Sequence, residues 1–179
     1  MIFDDIDFGN FDFSKYKNDL NIYNYTSKLY CECSLEKDKK YLKIAADIAE
    51  WSKDPDRKVG AIIVGLKGQI VSQGFNGFPR GFDDSLERFK NKIQKRKYII
   101  HAEANAIFNA LYSGVSVENC TVYIHGLPPC AECAKALVQS GISRVVTDSK
   151  PISKNWQQSN EDALDIFKEA DVEFNYIKD

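Results

Sequence analysis

Two short segments carry residue types suited to metal chemistry: His101-Ala102-Glu103, and Pro129-Cys130-Ala131-Glu132-Cys133. One imidazole and two thiolates are a zinc donor set, and three protein ligands leave one tetrahedral position open for water. Cys130 and Cys133 are three residues apart, so a helix beginning there carries both on one face, and its positive end favours the thiolate forms. Two thiolates and a neutral imidazole nearly cancel a dication, so water bound in the open position can lose a proton close to neutral pH. Glu103 lies two residues beyond His101 and points another way, free to move protons instead of joining the ligands. Standing alone, the Cys-x-x-Cys pair reads as a redox pair or as half of a structural zinc site. The His-x-Glu upstream, the proline before Cys130 and predicted helix starts at both segments favour hydrolytic chemistry. Cys31, Cys33 and Cys120 have no second histidine pair to join, since the chain holds two histidines, and they read as incidental or buried thiols.

The elements that must position these groups follow from periodicity. Leu42, Ala45, Ile48, Ala49 and Trp51 recur at three- and four-residue steps and predict a first core helix from Tyr41, broken by Lys53-Asp54-Pro55-Asp56. Residues 59–64 and 70–75, joined by Leu66-Lys67-Gly68-Gln69, predict a hairpin. A polar segment over 76–97 is longer than most connections in compact domains and reads as a functional loop. Residues 102–111 predict a helix, 120–124 a strand, and 130–140 a helix stopped by Gly141. Then follow a strand at 145–147, a helix at 160–170 and an alternating strand at 172–176. Alternating strands and helices imply an α/β sandwich. Residues 1–40 show no sustained period and read as an N-terminal extension to one domain over 41–179.

The bulk properties exclude several classes. A net charge of -2 and a pI near 5.8 leave no basic footprint for a phosphate backbone, so long nucleic acid is not an expected partner. Asp4, Asp5, Asp7 and Asp12 stand where a secretory signal needs a basic start and an apolar core, and no apolar run has membrane-spanning length. Five cysteines, an odd number without export signals, suit a reducing compartment, and a cytoplasmic location is expected.

From about Tyr41 to Ile177 the chain resembles the deoxycytidylate deaminase branch of the cytidine deaminase superfamily. The resemblance rests on Ser52-Lys53-Asp54-Pro55, Lys58-Val59-Gly60-Ala61, Gly74-Phe75-Asn76-Gly77-Phe78-Pro79-Arg80-Gly81, His101-Ala102-Glu103-Ala104-Asn105-Ala106-Ile107 and Cys130-Ala131-Glu132-Cys133-Ala134-Lys135. It implies a three-layer α/β/α sandwich around a five-stranded mixed sheet, with zinc between two helix N-termini. The implied reaction converts dCMP to dUMP and ammonia, supplying dUMP for thymidylate synthesis. Glu103 would carry the water's proton to ring N3 and later a proton to the departing amine. No organic cofactor is implied.

The resemblance also implies that Asn76 meets the sugar 3′-hydroxyl and that the backbone around Ala102 meets the pyrimidine edge. On local chemistry alone, Asn76-Gly77 is equally a turn. Lys58, Arg80 and Ser52 are candidate donors to a monophosphate. His125 departs from the usual family residue before the Pro-Cys pair and is a candidate for the base pocket, as is Trp156. A homo-oligomer, a hexamer in the family, is implied. So is an effector site for dCTP as activator and dTTP as inhibitor, in which Gly77, Arg80, Asp83 and Asp84 would hold phosphates with Mg2+; a solvated lid is the plain alternative. Other substrates within reach of the metal motif are dCTP, 5-substituted dCMP and a nucleic-acid base, and a different class is an inactive zinc-stabilised binding module.

Overall fold

The computed structural model describes residues 20–149 and 154–177, with side chains over 34–149 and 156–177. The elements in chain order are α1 Leu20–Ala49, β1 Gly60–Val64, β2 Ile70–Phe75, α2 Leu86–Lys90, α3 Lys92–Tyr98, α4 Ala102–Tyr112, β3 Thr121–His125, α5 Ala131–Gln139, β4 Arg144–Thr147, α6 Lys154–Glu169 and β5 Glu173–Tyr176. Five strands form one sheet in the order β2-β1-β3-β4-β5. The β2-β1-β3 half is antiparallel and the β3-β4-β5 half parallel, so the sheet is mixed, as the resemblance implied. The predicted hairpin is the β1-β2 pair, closed by a turn in which Gly68 takes a φ of 82°.

Every residue of β1 is buried. An unbroken apolar run of this kind belongs to a strand covered on both faces, and its side chains divide by alternation. Ala61 and Ile63 join the larger core with Val122, Ile124, Val145 and residues of α4, α5 and α6. Ile62 and Val64 join a second core with Tyr123, Val146 and the α1 residues Leu42 and Ala45. Two glycines let the covering helices approach. A Cβ on Gly60 would overlap Ala45 O and Ala49 N of α1, and one on Gly74 would overlap Ala106 N and Ala102 O of α4. Any side chain at Gly74 would therefore push away the helix that carries Glu103.

α1 differs from its predicted start at Tyr41, since it already begins at Leu20. The residues between lack a periodic apolar stripe, but no Gly or Pro occurs from Leu20 to Ala49, and a helix once nucleated extends until something stops it. From Lys37 onward α1 belongs to the compact unit that contains the sheet. It is tied there by the buried Asp38, which accepts from Arg144 Nη1 at 2.9 Å, Arg144 Nη2 at 2.7 Å and Tyr123 Oη at 2.8 Å. Burial, with Asp38 alongside, pushes the Tyr123 hydroxyl above its ordinary range, so it stays a donor.

The segment read as a loop over 76–97 contains α2 and α3. Gly77 bridges Ile100, closing the segment at its base. Within it the Arg88 guanidinium lies over the rings of Phe78, Phe82 and Tyr98 at 5.1–5.3 Å, and the Asn91 side chain caps α3 by accepting from Gln94 N at 3.1 Å. α6 begins six residues before its predicted start; residues 154–159 are polar apart from Trp156 and show no period that would announce a helix. Residues 1–19, much of the proposed extension, and the side chains of Cys31 and Cys33 lie outside the described set. Among the described residues no helix is long and apolar enough to cross a membrane.

Candidate active site

α4 and α5 begin at the two motif segments. His101 holds an extended backbone (φ −73°, ψ 158°) before α4, and Cys130 does the same before α5 (φ −85°, ψ 168°). Both side chains thus leave from the electropositive starts of their helices. α6 braces the second start, where Ala131 N donates to Ser159 Oγ at 3.1 Å and Asn160 Nδ2 donates to Pro129 O at 3.3 Å.

His101 Nδ1 lies 3.4 Å from Cys130 Sγ and 3.5 Å from Cys133 Sγ, and the three ligand atoms fall within 4.8 Å of one another. With Zn–S near ~2.3 Å and Zn–N near ~2.0 Å, tetrahedral ligand atoms sit about 3.6 Å apart, so the donor set fits zinc in both chemistry and spacing. The two sulfurs share a proton unequally. A hydrogen bond from Cys133 and another from His101 bring the Cys130 thiol down to about 4 despite its burial, while the same sharing pushes Cys133 up. His101 is raised by its hydrogen bond to Cys130. Metal binding to these atoms competes with protons, because thiolate and neutral imidazole are the ligand forms.

Glu103 is 3% exposed. Loss of solvent raises its carboxyl to about 7, against an opposing pull from His101. A carboxyl balanced near neutrality can both accept and return a proton. It opens on a cavity of about 700 Å³ whose deep wall also includes His101, Ala102, Cys130, Leu127 and Trp156. The Trp156 ring centre is 5.9 Å from that of His101.

Of the other residues singled out from the sequence, Asn76, Ala102 and Trp156 reach this cavity. Asn76 is committed within the protein: Oδ1 accepts from Val59 N at 2.8 Å, and Nδ2 donates to Asp54 Oδ2 at 3.1 Å and Arg57 O at 2.9 Å. Both amide protons are used, so toward a ligand it offers only the second lone pair of Oδ1. Ser52 is buried beneath the wall and donates to Asn76 O at 2.7 Å. Lys58 and Arg80, expected at a phosphate, are engaged off the cavity wall. Lys58 pairs with Glu50 at 2.7 Å, and Arg80 donates to Asn109 Oδ1 at 2.6 Å with its guanidinium over Tyr112. His125 is likewise off the wall, with Nδ1 2.6 Å from Asp148 Oδ2. Around the expected effector site each group has its own neighbour. Asp83 accepts from Ser85 N and Oγ, Asp84 pairs with Lys53 at 2.7 Å, and Gly77 bridges Ile100. Cys120 is a buried thiol, raised by burial, as read from the sequence.

The wall contains groups that the sequence reading did not select: Asp54, Asp56, Arg57, Lys92, Lys95 and Arg96. Their signal was present in part, because cations at 92, 95 and 96 share one face of any helix through them.

The model of the cytidine and deoxycytidylate deaminase zinc-binding region matches residues 35–149. The chain belongs to this deaminase family. Among relatives, the uncharacterized deaminase in the luxG 3′ region of Aliivibrio fischeri is 34% identical over 141 residues, spanning 78% of this chain and 92% of that protein. The deoxycytidylate deaminase of Mus musculus is 38% identical over 141 residues, 75% of each chain. Among solved structures, the dCMP deaminase of cyanophage S-TIM5 in complex with dCMP and dUMP superposes with a TM-score of 0.66 at 27% identity, covering 80% of this chain and 97% of that one. The deaminase match takes in all three metal-ligand candidates and Glu103, and it ends before α6 and Trp156.

Proposed function

We propose that this chain deaminates deoxycytidylate, releasing ammonia and leaving deoxyuridylate. The observation that carries the reading is Glu103: a buried carboxyl on the cavity wall beside a His/Cys/Cys donor set. The S-TIM5 relative, bound to dCMP and dUMP, supports the choice of nucleotide. Residues 41–179 are taken as the deaminase domain and 1–40 as its extension.

His101, Cys130 and Cys133 would hold zinc, which would supply a water activated as the nucleophile. The chain's own groups do the rest. The start of α4 presents the Ala102 backbone to the pyrimidine edge, Trp156 and Leu127 wall the ring, and Asn76 Oδ1 accepts from the 3′-hydroxyl. Glu103 takes a proton from the water and returns it at ring N3, which makes C4 electrophilic. It takes the second proton and delivers it to the exocyclic nitrogen. The C4–N bond then breaks, ammonia departs, and the new C4–O bond remains as the uracil carbonyl.

Self-association is the second part of the reading. Phe108, Leu111 and Tyr112 lie on one face of α4 and are 47%, 76% and 83% exposed, a stripe that supports a homo-oligomer such as a hexamer. An effector triphosphate with Mg2+ at Gly77, Arg80, Asp83 and Asp84 would have to exchange the contacts that Arg80 and Asp84 already make, and regulation requires unequal binding to two states. A cytoplasmic location accords with a pool of free nucleotide.

Liquid chromatography of zinc-loaded protein with dCMP, dCTP, 5-methyl-dCMP and deoxycytidine tests the activity. Conversion of dCMP to dUMP is expected, and an unchanged dCMP pool would remove the reading in favour of a binding module. Rates with and without dCTP or dTTP, alongside light scattering, test the rest: a monomer with hyperbolic, unresponsive kinetics rejects both assembly and regulation.

A further inference from the structure

α6 lies beyond the residues matched by the deaminase family model, yet its first turns reach both helix starts that carry the metal-ligand candidates. Trp156, Ser159, Asn160, Ala163 and Phe167 follow steps of three and four residues and share one helical face. Ala163 and Phe167, 0% and 1% exposed, lock the far end of that face into the core that also takes Ala134 and Leu137 of α5. At the near end the face carries two polar residues in place of apolar ones, and both bond the chain around Cys130. We propose that α6 clamps the Cys130 ligand, with Ser159 and Asn160 as positioning residues that raise the affinity of the His101, Cys130 and Cys133 site for zinc. The proposal rests on that ligand assignment and is independent of which nucleotide is deaminated.

The two bonds grip the peptide units on either side of the ligand. Ser159 Oγ accepts at 3.1 Å from Ala131 N, the amide that follows Cys130, and Asn160 Nδ2 donates at 3.3 Å to Pro129 O, the carbonyl that precedes it. Each peptide unit is planar, so the orientations of these two planes set the φ and ψ of Cys130, here −85° and 168°, and with them the direction in which its sulfur leaves the chain. Adjacent residues of one helix thus hold both planes. The Cys130 side chain makes no capping bond to its own helix. Ser159 satisfies one of the amides that a helix start leaves without an intrahelical partner, and the sulfur stays available to a metal. Pro129, fully buried, has a φ fixed by its ring and stiffens the approach to the ligand. Trp156, one turn earlier on the same face of α6, stands 5.9 Å from His101 between ring centres, so this helix abuts ligands carried by α4 and by α5. A ligand whose backbone is ordered before metal arrives gives up less conformational freedom on binding it.

Metal affinity tests the clamp without relying on turnover. In competition with a chromophoric chelator, the zinc-loaded full chain with S159A or N160A should each bind zinc about tenfold more weakly, and the double variant up to about 100-fold more weakly. S159T keeps the hydroxyl and should stay within about threefold of the unaltered chain. The cobalt(II)-substituted protein reports the ligand geometry: its thiolate charge-transfer and d–d bands should shift in S159A and not in S159T. F167L is the structural control. Its side chain packs in the core two turns from the clamp, so the melting temperature should fall while the zinc affinity of the folded protein changes under about twofold. Affinities are read well below the lowest melting temperature, and the single variants carry the test should the double variant not fold. Folded S159A and N160A proteins that both bind zinc within about twofold of the unaltered chain overturn the clamp, as does an F167L protein that loses as much as they do. An unaltered chain whose cobalt spectrum lacks thiolate ligation removes the ligand assignment and the clamp with it, whereas intact ligation with unchanged affinities removes the clamp alone.

Discussion

At the deep end of the cavity Glu103 is 3% exposed, flanked by two helix starts and by ligand candidates within 4.8 Å of one another. At the outer end Arg57, Lys92 and Arg96 are exposed to solvent and stand on a turn and a seven-residue helix. Charges at the deep end interact through a medium of low dielectric, and those at the rim are screened by water and salt. The same number of hydrogen bonds therefore counts for more at the floor. The floor is suited to chemistry, where a proton must be held against its solution preference, and the rim to selecting a ligand by charge. Mutations should separate the two ends: losses at the floor should be large and independent of salt, and losses at the rim modest and eroded by salt.

The largest effect is expected for Glu103→Gln, which keeps the shape of the side chain but carries no proton between the water and the base. Turnover should fall by about 10²–10⁴-fold with zinc content unchanged in elemental analysis. Activity within a few-fold of the unaltered protein would leave Glu103 a packing residue. Cys133→Ser should follow, losing most of the zinc and activity in proportion. In the unaltered protein zinc retention against a chelator should weaken as pH falls, because protons at His101 and Cys133, both raised, compete with metal for the same atoms. Retention that is flat between neutral and mildly acid pH would contradict the ligand assignment.

What could be read from the chain divides along the same line. His101 and Glu103 lie within three residues and Cys130 and Cys133 within four, so the floor is encoded in local spacings that a helix converts directly into geometry. The strands were equally plain where burial on both faces left unbroken apolar runs, as in β1. The rim is encoded nonlocally. Arg57 and Lys58 are adjacent cations, and nothing in their order says which faces the cavity; the turn folded around Asp54 decides it, by taking the Arg57 amide while Glu50 takes the Lys58 ammonium. Lys92 and Arg96 lie in a segment that reads as a lid until α3 puts them on one face. The length of α1 was hidden for a different reason: absence of helix breakers permits a helix but does not announce one.

Asp54 connects the two ends and gives an intermediate effect. Asp54→Ala leaves Lys95, whose Nζ lies 2.6 Å from Asp54 Oδ1, without its closest partner and releases both the Arg57 turn and Asn76. Breaking a buried ion pair costs about 3–5 kcal/mol, and the partial exposure of Lys95 points to the low end, about 3 kcal/mol, read as a fall in the denaturant midpoint at constant slope. Asp54→Asn, which retains an acceptor for the Asp56 and Arg57 amides, should recover part of that loss. Full stability in the alanine variant would mean that the rim does not depend on this carboxylate.

The smallest effect is expected at His125, which stands at the end of β3 just before the segment leading to Cys130. Its Nδ1 is 2.6 Å from Asp148 Oδ2, and the next amide, Gly126 N, donates to Ser149 Oγ at 3.0 Å, so the pair pins the approach to the metal site without reaching the cavity. Burial alone would raise the Asp148 carboxyl, but hydrogen bonds from His125 and Ser149 outweigh it and hold the group below its ordinary 3.8. A carboxylate depressed by folding contributes stability above its unfolded pKa, and that contribution disappears as pH falls through the folded value. His125→Ala should thus lower the melting temperature near pH 6, and the gap between variant and unaltered protein should close as pH falls below the ordinary carboxylate range and Asp148 takes up its proton. The imidazole is 38% exposed, so the cost should stay under about 1 kcal/mol. Because His125 is off the cavity wall, kcat and zinc content should be nearly unchanged. A gap that persists undiminished at acid pH would assign His125 to packing at the strand end, and a tenfold loss of turnover would place it in the base pocket after all.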